Sequence, residues 1–401
     1  MSEGTVCPNA FCVPDRRPVR SEAEMEPDKI PLIAGLLIFA ASVLSLRLGI
    51  SVAIFEMLLG LGAGALGLNP EPWMTYLAGF GGIVLTFLAG AEVDAKLLKE
   101  NFRAAGILSF FSFLAPFAAG YFFCRYAAGW PLKASLVAAV ALSETSLAVV
   151  YSVLTETGLN RTRTGKILMA CTFLTNTLTA LALSVAFLRP NLYTLLFLSV
   201  SGAFLLFAGR FTLGLLRHPA LAGKVIEPEI KYIFFVLLAF VYLASLGSSQ
   251  AMLPAFIFGL LMGKHFKKGR ATAPVKTRLR TVSYAFITPF FFLVAGMKVS
   301  PSALWGAFAL FAGLFAAKQL SKLAGVYFLA GRYFPENRGY FTLLMSTGLT
   351  FGLMAALFGL DAGFLDRAQY SVLTGVLIAS AIIPTFIAQR WFMPVEDEDL
   401  A

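Results

Sequence analysis

Apolar residues in this chain come in long unbroken runs, with no alternation at strand spacing and no narrow helical stripe. The runs cover residues 30–46, 49–67, 74–92, 104–124, 131–156, 164–187, 191–209, 231–247, 251–264, 281–298, 303–331, 338–360 and 366–389. A helix needs about 20 apolar residues to cross a hydrocarbon layer of about 30 Å. In lipid, the backbone must satisfy its own polar groups, which a helix does within one segment. The pattern therefore predicts an all-α polytopic membrane protein with about 13 transmembrane helices.

Two runs carry a polar interruption. In 131–156 the stretch Ala141-Leu-Ser-Glu-Thr-Ser-Leu-Ala148 puts Glu144 near the middle of the span, flanked by Ser143, Thr145 and Ser146. An ionised carboxylate at that depth costs about 2.5–3.5 kcal/mol on insertion scales, so such a residue is a functional candidate by default. In 338–360 the interruption is Ser346-Thr-Gly-Leu-Thr-Phe-Gly352. One broken span in each half, with six or so spans per half, is the pattern of an inverted repeat. It points to the substrate site of a secondary transporter.

Charge sharpens the topology. The net charge of +10 looks at first like a nucleic-acid footprint. With the N-terminus outside, however, about 21 of the 32 basic residues fall in the loops then predicted inside, including the run Lys264 to Arg280. The external loops hold about five: Arg125, Lys133, Arg189, Lys298 and Arg367. This asymmetry predicts N-out and C-in for an odd number of spans, and no nucleic-acid partner. At 58% hydrophobic and 13% charged, the composition leaves no room for a sizeable soluble domain. Cys124 and Cys171 read as small hydrophobes within spans. Cys7 and Cys12 precede the first span and could pair outside. The tail lacks the form of a cleaved signal peptide, and Met25, just before Glu26-Pro-Asp-Lys, could be the true start.

Further polar residues lie within the spans. Thr172, Thr175, Asn176 and Thr179 share one helix face, which must look at protein or water. Helix–helix hydrogen bonding would explain this stripe, as would an ion pathway. Lys318 and Lys322 also lie one turn apart on one face. Lys318 either pairs in the core or lies near water. Lys322 either snorkels to the inner interface or pairs with a carboxylate in the membrane. Glu56 is deep within its span, either paired or lining a cytoplasmic funnel, whereas Glu92 and Asp94 read as solvated charges at a helix end. His218 and His265 sit in basic inside loops. The sequence carries no phosphate-binding loop, no Cys/His metal spacing and no nucleophile–His–acid arrangement, so no enzyme, cofactor or transition metal is expected.

Four segments carry a family resemblance. They are Leu88-Ala-Gly-Ala-Glu-Val-Asp-Ala-Lys-Leu-Leu98; Ser143-Glu-Thr-Ser-Leu-Ala-Val-Val150 with Leu154-Thr-Glu-Thr-Gly158; Lys166-Ile-Leu-Met-Ala-Cys-Thr-Phe-Leu-Thr-Asn176; and Pro289-Phe-Phe-Phe-Leu-Val-Ala-Gly296 with Lys322 after it. From about Pro31 to Arg390 the chain resembles bacterial monovalent cation:proton antiporters of the NapA and Kef type. The resemblance implies two discontinuous helices crossing near the centre of a core domain, 104–188 plus 303–389. It also implies a dimerisation domain, 30–96 plus 231–299, that makes the protein a homodimer in the bacterial inner membrane. Residues 1–29 would be an outer tail, 191–230 a linker helix and loop, and 390–401 a cytoplasmic tail. Core moving against dimerisation domain would give alternating access.

The chain departs from the family at one place. The ion-site helix of these antiporters carries an aspartate, alone or paired, where this chain has Thr175 and Asn176. Glu144 stands where the family has a small residue. The acidic role is therefore expected on Glu144, with Lys322 as its partner. Asn176 and Thr175 would supply neutral oxygens, and Thr145, Ser146, Thr347 and Thr350 would line the crossing with Thr172 and Glu56 nearby. The function this implies is exchange of protons for a monovalent cation, Na⁺ or K⁺, across the lipid membrane. The missing aspartate equally suits an uncoupled or non-transporting descendant: a pore, a sensor or a carrier of another solute.

Overall fold

A computed structural model describes residues 29–48, 51–92, 102–159, 162–186, 199–207, 227–246, 251–268 and 273–394. The expectations for Cys7, Cys12, Met25, Asp94 and His218 lie outside these residues, as do most of the two tails. All regular structure among the described residues is helical. The helices are α1 (Lys29–Leu48), α2 (Val52–Ala65), α3 (Pro72–Glu92), α4 (Phe102–Phe122), α5 (Leu132–Ser143), α6 (Leu147–Glu156), α7 (Arg163–Ala186), α8 (199–207) and α9 (Pro228–Leu246). They continue with α10 (Met252–Lys268), α11 (Ala273–Val282), α12 (Thr288–Met297), α13 (Pro301–Gly306), α14 (Phe308–Tyr333), α15 (Arg338–Met345), α16 (Thr350–Asp361) and α17 (Arg367–Trp391). Among the described residues, eight helical stretches are long and apolar enough to span a membrane, and three further apolar helices are shorter.

Most spans coincide with the apolar runs, and three runs are divided. The run 303–331 is not one helix: α13 ends at Gly306, and α14 begins at Phe308. The last span but two thus starts later than the hydropathy suggests, which moves Lys318 and Lys322 to the middle of a 26-residue helix. The run 131–156 divides into α5 and α6, and 338–360 into α15 and α16, at the two polar interruptions.

Packing sorts the long helices into two groups. In one, α2 lies along α12, α3 along α10 and α12, with α1 against α2 and α9 against α3. Glycines make these approaches close. A side chain at Gly60 or Gly64 would strike the backbone of Leu293 or Met297, and one at Gly296 the backbone of Met57. Gly259 and Gly263 press in the same way on Phe87 and Ala91 of α3. Without a hydrophobic drive between helices in lipid, such backbone contact is the main source of cohesion. In the second group α4 packs on α5, α7 and α14; α5 on α16; and α17 on α14, α15 and α16. The groups meet where α10 touches α7, where the Phe256 and Phe351 rings stand edge to face at 6.4 Å, and where Tyr370 donates to the Ala295 carbonyl at 2.9 Å.

Candidate functional site

The two breaks are bonded to one another. The Ser146 amide donates to the Thr347 carbonyl at 3.2 Å, and the Thr145 hydroxyl donates to the Met345 carbonyl at 2.9 Å. The two breaks leave four half-helix ends, each with unpaired amides or carbonyls and a partial charge. Charged side chains of the chain itself bond two of them, the end of α5 and the start of α16.

Glu144 follows the last residue of α5 in an extended conformation, which ends that helix. Its carboxylate reaches the first turn of α16. One oxygen accepts from the Phe351 amide at 2.9 Å and the other from the Gly352 amide at 2.6 Å. A negative charge on the positive end of a half-helix is the favourable arrangement, and it is what makes this fully buried acid tolerable. Gly352 permits the approach. A Cβ there would lie 2.6 Å from the Ala141 carbonyl oxygen and 2.7 Å from Glu144 Oε2. Gly352→Ala is therefore expected to push the carboxylate off its amides and lower stability by about 1–3 kcal/mol, the range for overpacking. A melting curve in detergent that matches wild type would show that the contact has slack.

Lys322 serves the complementary end. Its ammonium donates to the Ser143 carbonyl at the close of α5 (3.0 Å), to the Thr145 hydroxyl (2.9 Å) and to the Ser112 hydroxyl on α4 (3.0 Å). It is fully buried, so it does not snorkel. The expected Lys322–Glu144 ion pair does not form, because the helix-end carbonyl and two hydroxyls already take the three ammonium protons. Lys318, also fully buried, reaches the other break. It donates to the Ser380 hydroxyl on α17 at 2.8 Å and lies against Gly348.

The remaining candidates are placed as follows. Thr347 and Ser146 take part in the crossing, and Thr350 opens α16 with its hydroxyl buried and unpaired. On α7, Thr172, Thr175 and Thr179 each donate to the carbonyl one turn back, at 2.9 Å. Their hydroxyl oxygens keep lone pairs to offer. Asn176 is buried, with both amide atoms lacking a partner. A buried amide normally finds one, so a group of this kind calls for an explanation. No hydrogen bond joins Asn176 to Glu144 among the described residues. Glu56 is buried on α2, in the first packing group and away from the breaks, and forms neither a hydrogen bond nor an ion pair among the described residues. Ser112 and Ser380 were not singled out in the sequence; a lone serine in an apolar run gives no sign of the ammonium it meets. No metal-holding cluster of His, Cys, Asp and Glu occurs among the described residues.

Comparison with known proteins places this architecture. A protein named probable sodium/proton antiporter 3, from Methanocaldococcus jannaschii, is 28% identical over 84% of this chain and 89% of its own length. A sodium/proton antiporter from Enterococcus hirae is 26% identical, with 86% of this chain and 92% of the relative covered. The sodium/proton–potassium antiporter GerN of Bacillus cereus is 22% identical over 85% and 89%. The solved structure of the sodium proton antiporter MjNhaP1, also from M. jannaschii, superposes with a TM-score of 0.66 at 16% identity. That match covers 90% of this chain and 96% of the other, and shows a shared fold. The family model for the transmembrane part of sodium/hydrogen exchangers matches residues 33–393, so the chain belongs to the sodium/hydrogen exchanger family.

Proposed function

We propose that this integral membrane protein exchanges protons for Na⁺ or K⁺ by alternating access, with Glu144 as the group that binds the proton and the cation in turn. The observation that carries the assignment is the placement of Glu144. It is the one carboxylate among the described residues at the crossing of the two broken helices, fully buried and held by the α16 amides. An amide oxygen can coordinate a cation but cannot carry a proton near neutral pH, so Asn176 cannot take the acid's part. Asn176, with its unpaired Oδ1, and the Thr175 hydroxyl oxygen supply neutral ligands. Hard oxygen ligands of this kind suit monovalent alkali cations.

The two packing groups support the moving parts of this reading. The core would comprise α4 to α7 with α14 to α17, and the scaffold α1 to α3 with α9, α10 and α12. Their shared surface runs beside the site: Phe351, whose amide holds Glu144, rests its ring on Phe256 of α10. A shift of core against scaffold therefore reaches the carboxylate directly. The two broken spans, one in each half, belong to an inverted repeat in this account. Dimerisation through the scaffold goes with it, and α1 offers an outward apolar face with Leu32, Leu36 and Phe39. The basic bias of the predicted inner loops supports an N-out orientation.

The test is transport by the reconstituted protein. In liposomes loaded with a pH dye, Na⁺ or K⁺ should drive proton movement, whereas choline should not. A folded protein that conducts a cation without moving protons would favour the rival reading, an uncoupled pore, for which the neutral Asn176 speaks. Asn176→Asp adds a further expectation. The mutant should keep exchanging and should move a different charge per cycle, measured with and without a potassium–valinomycin clamp. A folded mutant without transport would show that the site no longer resembles the family's.

A further inference from the structure

We infer that one scaffold span, Val275–Met297, closes the transport path at both membrane faces with two unequal latches. Arg280 on Tyr151 is the inner latch; Tyr370 on the Ala295 carbonyl, with Lys298 on Asp361, is the outer one. The inference rests on the alternating access and the orientation proposed above, and inner and outer carry that sense.

Two half-helices leave the crossing for opposite faces, and this span meets both. α6 begins at Leu147, directly after the Ser146 amide that bonds the second break. Tyr151 lies just over one turn past Ser146, about 7 Å along the axis. The Arg280 guanidinium, near the end of α11, lies over the Tyr151 ring, 5.3 Å from its centre, and 6.0 Å from that of Tyr284 one turn along its own span. α16 begins at Thr350, beside the amides that hold Glu144, and ends at Asp361, about 16 Å further on. There the Lys298 ammonium, at the close of α12, meets the Asp361 carboxylate at 2.8 Å. Arg280 and Lys298 stand about 25 Å apart along the span, close to the thickness of the hydrocarbon layer. With both contacts made, Glu144 is fully buried.

The two latches differ in strength. The inner one is a cation–π contact between half-buried side chains, where water competes for the guanidinium. The outer one is mostly dry. Tyr370 is fully buried, and its hydroxyl donates to the Ala295 carbonyl at 2.9 Å. That carbonyl belongs to the last turn of α12, where the helix has no amides left to give. The Lys298 amide takes the Val294 carbonyl and the Val299 amide that of Gly296, and Tyr370 serves Ala295 between them. Parting Tyr370 from α12 orphans a buried acceptor, which costs more than losing a half-exposed contact. The ion pair, exposed on the Asp361 side, adds little. The inner mouth therefore opens more readily than the outer. Arg280, Tyr151 and Tyr370 are positioning residues in this scheme, acting on the balance of states and not on the ion.

The experiment measures the KM for Na⁺ and for K⁺ from each face, in everted and in right-side-out vesicles that carry the full-length protein and a pH dye. A cation reaches only the protein open to its own face, so the ratio of inner to outer KM reports the balance of the two open states. Tyr151→Leu should lower that ratio about threefold, the effect of one cation–π contact. Tyr151→Phe, which keeps the ring, should leave it unchanged. Tyr370→Phe should raise it about fivefold, the effect of one hydrogen bond, and the variant with both Tyr151→Leu and Tyr370→Phe should fall between. The opposite signs are the signature, because a merely loosened fold would move both variants alike. Shifts of the same sign overturn the inference. An unchanged ratio in folded Tyr370→Phe also overturns it, and would make the outer contact a pivot that stays made in both states. If Tyr151→Leu does not fold, Arg280→Gln takes its place with the same expected sign, and an unchanged ratio there overturns the inner latch. Wild-type vesicles in which neither cation moves protons overturn the exchange reading and the latches with it. Exchange by wild type with silent variants removes the latches alone.

Discussion

Glu144→Gln should abolish cation-dependent proton movement while leaving the protein folded. The substitution keeps the shape and keeps an oxygen for one α16 amide, so the crossing of the breaks can persist. What it removes is the charge and the titratable proton. No other carboxylate among the described residues lies at the crossing: Asp361 ends α16 at the surface, paired with Lys298, and Glu56 lies on α2 away from the breaks. The side-chain amide will also set its NH₂ against a backbone N–H, and the loss of a charged hydrogen bond should cost about 1.5–3 kcal/mol of stability. Flux in proteoliposomes, alongside a detergent melting curve, separates the two effects. Full exchange by the Gln variant would sink the assignment.

Lys322→Ala should have the largest effect on stability. It strips three acceptors at the first break of their donor, including the Ser143 carbonyl that ends α5, and leaves a void in a buried layer. Charged hydrogen bonds contribute about 1.5–3 kcal/mol each, and relief from burying an ammonium offsets part of this, so a net loss of about 3 kcal/mol is expected. Because Lys322 grips helix ends and not the carboxylate, Na⁺ or K⁺ should not restore the lost stability. A melting series with choline as control checks both parts. A variant that melts like wild type would show that water or neighbouring groups replace the ammonium at no cost.

How far the sequence could be read depended on the kind of contact. The breaks were legible because Glu144-Thr-Ser146 and Ser346-Thr-Gly348 are polar steps in apolar runs, and in lipid only a structural interruption or a site explains them. The family was legible in four segments. The partners of Glu144 were not, since they are backbone amides 207 and 208 residues away, and an amide has no sequence signature. The depth of Lys322 was misjudged for a related reason. The apolar run 303–331 hides the turn at Ala307, so hydropathy alone set the start of the helix too early and Lys322 too near its end. Lys318 and Lys322 share a face, yet the fold sends each to a different break, a distinction that helical spacing cannot make.

The central claim is that proton and cation compete for Glu144, and proton release measures it most directly. Purified protein in detergent, in weakly buffered solution at alkaline pH, is mixed with NaCl, KCl or choline chloride while a pH electrode follows the bulk. The account predicts that Na⁺ or K⁺ expels protons from wild type, that choline does not, and that Glu144→Gln releases none. Equal release from wild type and Glu144→Gln, both shown to be folded, would place the exchanged proton elsewhere and contradict it.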